Sequence, residues 1–238
     1  MPLLAGLKDR NRQAELMDDP RLETTRFLGS LEGLRRVNVV TASVGIVWPS
    51  IQRIAQRKGS GPLRILDVAS GGGDVPVALW RRARKQGIEL SIRGCDISPV
   101  AVEQGRIRAR RAGAEIDFFE YDALSEALPE RFDIVMSSLF LHHLDWDGAR
   151  TFLRNAAEAA ERALLITDLV RSRWGYVLAS LGIRLLTRCD VCHRDARLSV
   201  EGAFTVAEAR RLALDAGLEG STVSPRFPSR FLLSWMRP

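Results

Sequence analysis

Lysine is nearly missing from this chain of 238 residues: positions 8, 58 and 85 carry it, and the other 32 of the 35 basic residues are arginine. There are only three cysteines, an odd and low number, which excludes a disulfide framework. No uninterrupted apolar run reaches the about 18 residues that a spanning helix needs. The nearest approach, Leu169 to Leu186, is broken by Arg171, Arg173 and Arg184. The opening MPLLAGLKDRN has too short an apolar part for a secretory h-region, and no small-residue cleavage site follows it, so a cytoplasmic protein is expected. With 46% hydrophobic and 27% charged residues, the composition excludes disordered and fibrous chains. The net charge of +6 is spread along the chain rather than gathered in a block. That pattern describes a solvated basic surface, with a weak pull toward nucleic acid, anionic lipid or an acidic substrate.

One cysteine pattern needs weighing. Cys189-Asp190-Val191-Cys192-His193 has the C-x-x-C-H spacing of covalent haem attachment. That chemistry belongs to exported proteins. A zinc site would need a fourth ligand, for which Asp195 is the nearest candidate. Neither reading is adopted, and no metal is expected.

Residues 1 to about 60 read as a helical cap, with Leu22, Phe27, Leu31 and Leu34 at helical spacing and Asp19-Pro20 as a start signal. Gly59-Ser60-Gly61-Pro62 then breaks the pattern and marks the boundary to a second region, 61–238. Strands and helices alternate beyond it. Strands are expected over 63–69, 90–95, 116–121, 132–137 and 163–167, and helices over 75–85, 99–112 and 147–162. Such alternation implies a mostly parallel α/β sheet with crossover helices. An irregular, partly apolar insertion follows over about 169–204. A helix over 205–216 comes next, capped by Thr205 and stopped by Gly217, and then a terminal pair of strands.

The first strand runs into Ala69-Ser70-Gly71-Gly72-Gly73-Asp74, a glycine-rich turn whose backbone N–H groups can approach a ligand closely. The dinucleotide pattern G-x-G-x-x-G fails, because Pro76 stands where its last glycine would be. No Lys-Ser/Thr follows, so the phosphate-binding loop fails too. Asp96 ends the second strand, where a carboxylate suits both ribose hydroxyls and disfavours a 2′-phosphate. Asp122 ends the third. Acids at successive strand ends, beside a glycine turn, describe a nucleoside pocket.

Taken together, ILDVASGGGD (65–74), GCDIS (94–98), EYDAL (120–124) and FDIVMSSLFLHHL (132–144) resemble the class I S-adenosylmethionine-dependent methyltransferases. The resemblance implies a Rossmann-like seven-stranded sheet, mostly parallel with the last strand antiparallel, an N-terminal helical cap and a lid insertion at 169–204. It implies S-adenosyl-L-methionine as cofactor. The first motif would contact the methionine moiety through Asp67, Ala69, Ser70, Gly71 and Gly73. Asp96 would hold the ribose, and Ile97 would pack on the adenine face. Asp122 and Ala123 would meet the adenine amino group, and Ser138 would lie near the methionine end. Ala69 departs from the family, which usually has glycine there. ELMDDPRLE (15–23), LRRVN (34–38), TDLVRS (167–172) and LSVEGAF (198–204) are similar to a bacterial subgroup near the ubiquinone and menaquinone methyltransferases, some of whose members accompany type III polyketide synthases making phenolic lipids. That subgroup's His-x-Asp-Gly-Pro-Leu-Ser segment is here His193-Arg194-Asp195-Ala196-Arg197-Leu198-Ser199, without the Gly-Pro pair.

The expected acceptor is a small hydroxylated aromatic, quinone or polyketide-derived phenol, with a lipid tail and contact with a membrane surface both compatible. Phenols ionise near pH 10, so a base within reach of the hydroxyl would help at neutral pH. The chain has three histidines, and all are candidates: His142 and His143 after the fourth strand, and His193, with Asp195 to orient it. Trp174 and Tyr176 could stack on an aromatic acceptor, or pack against the N-terminal helices. An RNA or protein methyltransferase is the competing reading, motivated by the basic charge. No nucleic-acid partner is expected, because Ser137-Ser138-Leu139-Phe140 lacks the Asn/Asp-Pro-Pro-aromatic segment of amino-base enzymes. A nicotinamide-dependent oxidoreductase is the lesser alternative. Oligomeric state is not legible.

Overall fold

The computed structural model describes residues 7–124, 128 and 130–238. Seven strands form a single sheet: β1 (Leu63–Val68), β2 (Leu90–Asp96), β3 (Ile116–Glu120), β4 (Phe132–Ser138), β5 (Ala160–Leu169), β6 (Thr222–Arg226) and β7 (Arg230–Met236). Their order is β3-β2-β1-β4-β5-β7-β6. All neighbouring pairs are parallel until β7, which runs antiparallel to both β5 and β6. The expected architecture is therefore present. The order reverses between β1 and β4, which opens a crevice at their carboxyl ends.

Helices cover both faces. On one side α2 (Ser43–Lys58), α3 (Asp74–Lys85) and α4 (Pro99–Ala112) bury Ile51, Leu79 and Val102 against Ile65 and Ile134. On the other, α5 (Trp146–Ala159) and α8 (Val206–Asp215) bury Phe152 and Leu212 against Leu66 and Val135. Strands covered on both faces need continuous apolar runs, which is why β4 is buried over its first six positions. Thr205 caps α8 with a reciprocal bond to Glu208, as its sequence signature requires.

The cap differs from expectation. α2 belongs to the sheet's own helical layer, so the glycine break near residue 60 does not separate it from the core. Only α1 (Thr24–Val40) and the segment before it lie over the crevice. Residues 7–23 were expected to be largely helical but form a strap whose 3-10 turn at Leu16–Asp18 leads toward α1. Its Asn11, Leu16 and Met17 N–H groups donate to residues nearly two hundred positions away rather than to a helix of their own. The insertion is not irregular: it folds into α6 (Arg173–Leu186) and α7 (Asp190–Gly202), which pack on each other and on α1.

One ring joins the crevice to the core. Phe118 of β3 sits opposite Gly94 of β2. A Cβ at Gly94 would lie 2.6 Å from that ring, and one at Gly73 would lie 2.7 Å from it. Glycine at these positions lets Phe118 pack directly under the glycine turn. Gly94→Ala is expected to lower stability by about 1–3 kcal/mol through overpacking. A denaturant titration checks this, and a wild-type midpoint would show that Phe118 can move aside.

Candidate functional site

The crevice is built from strand ends. β1 delivers Asp67 and then the turn 69–73, in which Ala69, Gly71 and Gly73 all have left-handed backbone (φ +55°, +53° and +70°). Ala69 holds this conformation without glycine's freedom, so the departure noted in the sequence leaves the turn's path intact. Asp96 ends β2 and fixes the turn: the Gly71 N–H donates to its Oδ2 at 2.8 Å, and the Ser98 N–H donates to its Oδ1 at 3.0 Å. Each carboxylate oxygen can accept two hydrogen bonds and takes one here from a backbone N–H, so Asp96 keeps acceptor capacity for a ligand. Ile97, next along, is 68% exposed, a large apolar side chain held out at the strand end. Asp122 lies beyond β3, where its Oδ1 accepts from the Leu124 N–H, and Ala123 is buried behind it. Ser138 ends β4 and shares a hydrogen bond of 2.9 Å with Thr167 of β5.

Several buried carboxyl groups meet along this edge. Asp67 is fully buried, and its Oδ1 has no protein partner. Burial pushes its carboxyl well above the usual range, and the neighbouring Asp74 and Asp96 push the same way. Burial also raises Asp96, against the lowering effect of the Ser98 and Gly71 N–H groups it accepts from, and Asp18 adds to the rise. Burial raises Asp195 too, and Glu15 and Asp18 add to it. Burial is the largest cause of each rise, and neighbouring carboxyl groups add to it.

The two adjacent histidines face different ways. His142 is buried. Its backbone N–H and ring Nδ1 both bond the Asp168 carboxylate, at 2.9 and 2.7 Å, and its Nε2 lies 3.5 Å from Glu15. Burial alone would lower the imidazole, but Asp168 and Glu15 outweigh it and raise it to about 10. His142 was expected as a candidate base; in the structure its ring is buried, with Nδ1 taken up by Asp168 and Nε2 facing Glu15 rather than the mouth. His143 stands at the mouth, partly exposed, with Nδ1 2.8 Å from Asp18 and its ring stacked near Phe140.

The pairing expected for the third histidine is also corrected. Asp195 does not orient His193: its two oxygens accept the Leu16 and Met17 N–H groups of the strap. His193 instead bonds the Thr187 carbonyl through Nε2, and it lines a separate cleft with Tyr176, Ser180, Arg184 and Arg197. Tyr176 is buried, whereas Trp174 points outward. Cys189 caps α7, its sulfur accepting from the Cys192 N–H, and Cys192 is buried against α1. Cys192 therefore serves packing, and Asp195, the proposed fourth zinc ligand, is turned toward the strap.

Three features escaped the sequence reading. Asp168 ends β5 on the same edge as Asp67 and Asp96, and extending the rule of one acid per strand end to the fifth strand would have found it. The strap closes the mouth: Arg10 donates to the carbonyls of His142 and Leu144, at 3.0 and 2.5 Å, and Asp18 holds His143. Leu31 of α1 lies over the glycine turn, 3.7 Å from where a Gly71 Cβ would be.

Residues 65–162 match the profile of a family described as "Methyltransferase domain". Over 98 residues the chain is 34% identical to the ubiquinone/menaquinone biosynthesis C-methyltransferase UbiE of Bradyrhizobium sp., a match covering 40% of this chain and 38% of that protein. Over 96 residues it is 34% identical to ribosomal RNA small subunit methyltransferase C of Escherichia coli, covering 39% of this chain and 26% of that one. The matches thus span less than two fifths of these relatives' own length. Among solved structures, the O-methyltransferase NcsB1 from neocarzinostatin biosynthesis, in complex with S-adenosyl-L-homocysteine and 1,4-dihydroxy-2-naphthoic acid, superposes with a TM-score of 0.62 at 18% identity, covering 93% of this chain and 61% of that one. The chain has the fold of the class I methyltransferases, and its residues 65–162 are similar to the methyltransferase-domain profile.

Proposed function

We propose that this chain transfers a methyl group from S-adenosyl-L-methionine to the oxygen of a small hydroxylated aromatic, such as a quinone precursor or a polyketide-derived phenol. One observation carries the reading: the fully buried Asp67, with an orphaned oxygen, lies beside a left-handed glycine turn. Such a site suits a nucleoside that brings its own positive charge. A dinucleotide's pyrophosphate would meet the carboxylates of this edge with repulsion.

The residues present fit the cofactor. Asp96 would take the ribose hydroxyls, and Ile97 and Ala123 would flank the adenine, with Asp122 at its amino group. Asp67, Ala69, Ser70, Gly71, Gly73 and Ser138 would surround the methionine end. The bound cofactor supplies an electrophilic methyl on a sulfonium. The protein's own task is then to position the acceptor and take its proton. His143 is suited to that. With its Nδ1 hydrogen held by Asp18, the Nε2 lone pair is left for an acceptor hydroxyl at the mouth. His142, its ring tilted against His143 with centroids 4.2 Å apart and bonded to Asp168, would fix its place. The strap covers the reacting groups, and His193 serves the outer cleft between α6 and α7.

The named relatives support a small acceptor: one acts in quinone biosynthesis and one structure holds a dihydroxynaphthoate. The ribosomal RNA relative and the net charge of +6 favour RNA as a second reading. Calorimetry should show S-adenosylhomocysteine binding and NADH not binding; the reverse would overturn the proposal. With methyl-labelled cofactor, label should enter phenols as methoxy groups. Label in ribosomal RNA would move the function to the second reading, and a ring methyl would move the attack from oxygen to carbon.

A further inference from the structure

The outer face of α6 is apolar where it meets water. Trp174, Val177, Leu178, Leu181 and Leu185 recur at helical spacing along one stripe. All are exposed among the described residues, Trp174 at 77% and Leu185 at 89%. The helix buries its other side through Tyr176 and Ile183. Five large apolar residues in one row are more than scattered surface exposure provides, and they mark a contact surface. A second apolar tip stands beside it. Phe227, in the turn between β6 and β7, is 90% exposed, and Ser229 of that turn is 3.1 Å from Ser172 at the start of α6.

The charges around the stripe have one sign. From Val170 to Cys189 the sequence has four arginines and no carboxylate. Arg171 is buried on Glu208, whereas Arg173, Arg184 and Arg188 are exposed, as is Arg226 next to Phe227. Glu32 and Asp190, beside the helix's C-terminal end, are already paired with Arg35 and Arg26.

We propose that this face docks on an anionic phospholipid surface, with the α6 stripe and Phe227 entering the headgroup region and the arginines meeting lipid phosphates. Tryptophan and leucine on one side with arginine at the flank is the pattern of a helix lying in a membrane interface. No described helix is long and apolar enough to cross a bilayer, so the contact is peripheral. A second copy of the chain fits less well. A two-fold contact through this stripe would set its arginines against their own mates, with no unpaired carboxylate between them. Leu181 and Arg184 also line the cleft of about 180 Å³ that holds His193 between α6 and α7. Docking would therefore turn that opening toward the lipid. The inference stands apart from methyl transfer, since it is read by binding alone.

Flotation of the full chain with vesicles provides the test. Binding is expected to phosphatidylcholine–phosphatidylglycerol mixtures and not to phosphatidylcholine alone, and it should weaken with salt. Leu181→Asp with Leu185→Asp should reduce it by about tenfold or more, since the apolar side chains supply the buried area. Arg184→Gln and Arg188→Gln should each reduce it about fivefold. Leu214→Asp, on an equally exposed leucine of α8, should leave it unchanged. Absence of flotation, equal loss in the α8 variant, or undiminished binding in the α6 variants overturns the proposal. So does a concentration-dependent dimer, seen by light scattering, that Leu185→Asp abolishes. Circular dichroism confirms that each variant is folded.

Discussion

Replacing Asp168 with asparagine is expected to destabilise the fold by about 3–5 kcal/mol, the cost of breaking a buried ion pair from one side. The carboxylate is fully buried and accepts three hydrogen bonds, two from His142 and one from the Leu169 N–H. Asparagine leaves the imidazolium without its principal counter-charge and sets an amide N–H₂ against at least one donor. Stability should carry a pH signature as well. His142 is raised to about 10 in the native state, above the about 6.5 of an unfolded histidine. Its contribution is therefore complete below pH about 6.5 and is lost as pH rises through about 10. Burial would raise Asp168, but His142 more than offsets this and lowers it. Its contribution is complete above the unfolded carboxyl value and is lost only on strong acidification. The gap between wild type and Asp168→Asn should thus be widest between about pH 4 and 6.5 and narrow toward pH 10. Urea titrations across that range measure it. A gap below about 1 kcal/mol, or one independent of pH, would show that the pair is not ionised in the native state.

The same pair shows where sequence reading stops. The sheet was legible because each strand announces itself: LRILDV must be buried on both faces, and the glycines after it have no role inside an element. Asp96 and Asp122 were read from their places at successive strand ends, and Asp67 from the resemblance of the first motif. The facing of His142 and His143 did not, because adjacent residues in a single 3-10 turn differ only in what lies behind them. Asp168, Glu15 and Asp18 decide that, and the latter two reach the site from more than a hundred residues away. The strap was misread for the same reason. Its backbone bonds α7, and its Arg10 and Arg12 side chains bond the loop after β4, so no local periodicity records them. The insertion misled differently. α6 points its larger apolar side chains at solvent and carries arginines among them, so its pattern lacks the polar outer face by which a surface helix is recognised.

Asp96→Ala is expected to weaken binding of S-adenosylhomocysteine by about a hundredfold or more. A hydrogen bond to a charged group is worth about 1.5–3 kcal/mol, and two ribose hydroxyls would be lost at once. The carboxylate also holds the Gly71 and Ser98 N–H groups, so its removal loosens the glycine turn, and a fall in affinity alone would not single out the ribose. A 2′-deoxyribose analogue of the same ligand separates the two effects. If Asp96 grips the hydroxyls, wild type prefers the ribose form by about tenfold or more, while Asp96→Ala binds both forms alike. If the carboxylate serves only the turn, both ligands weaken in parallel and the preference survives. Calorimetry on the four combinations gives the coupling directly. A preference that persists in the variant would place the ribose elsewhere on the edge, and with it the nucleoside reading of the strand-end carboxylates would fall.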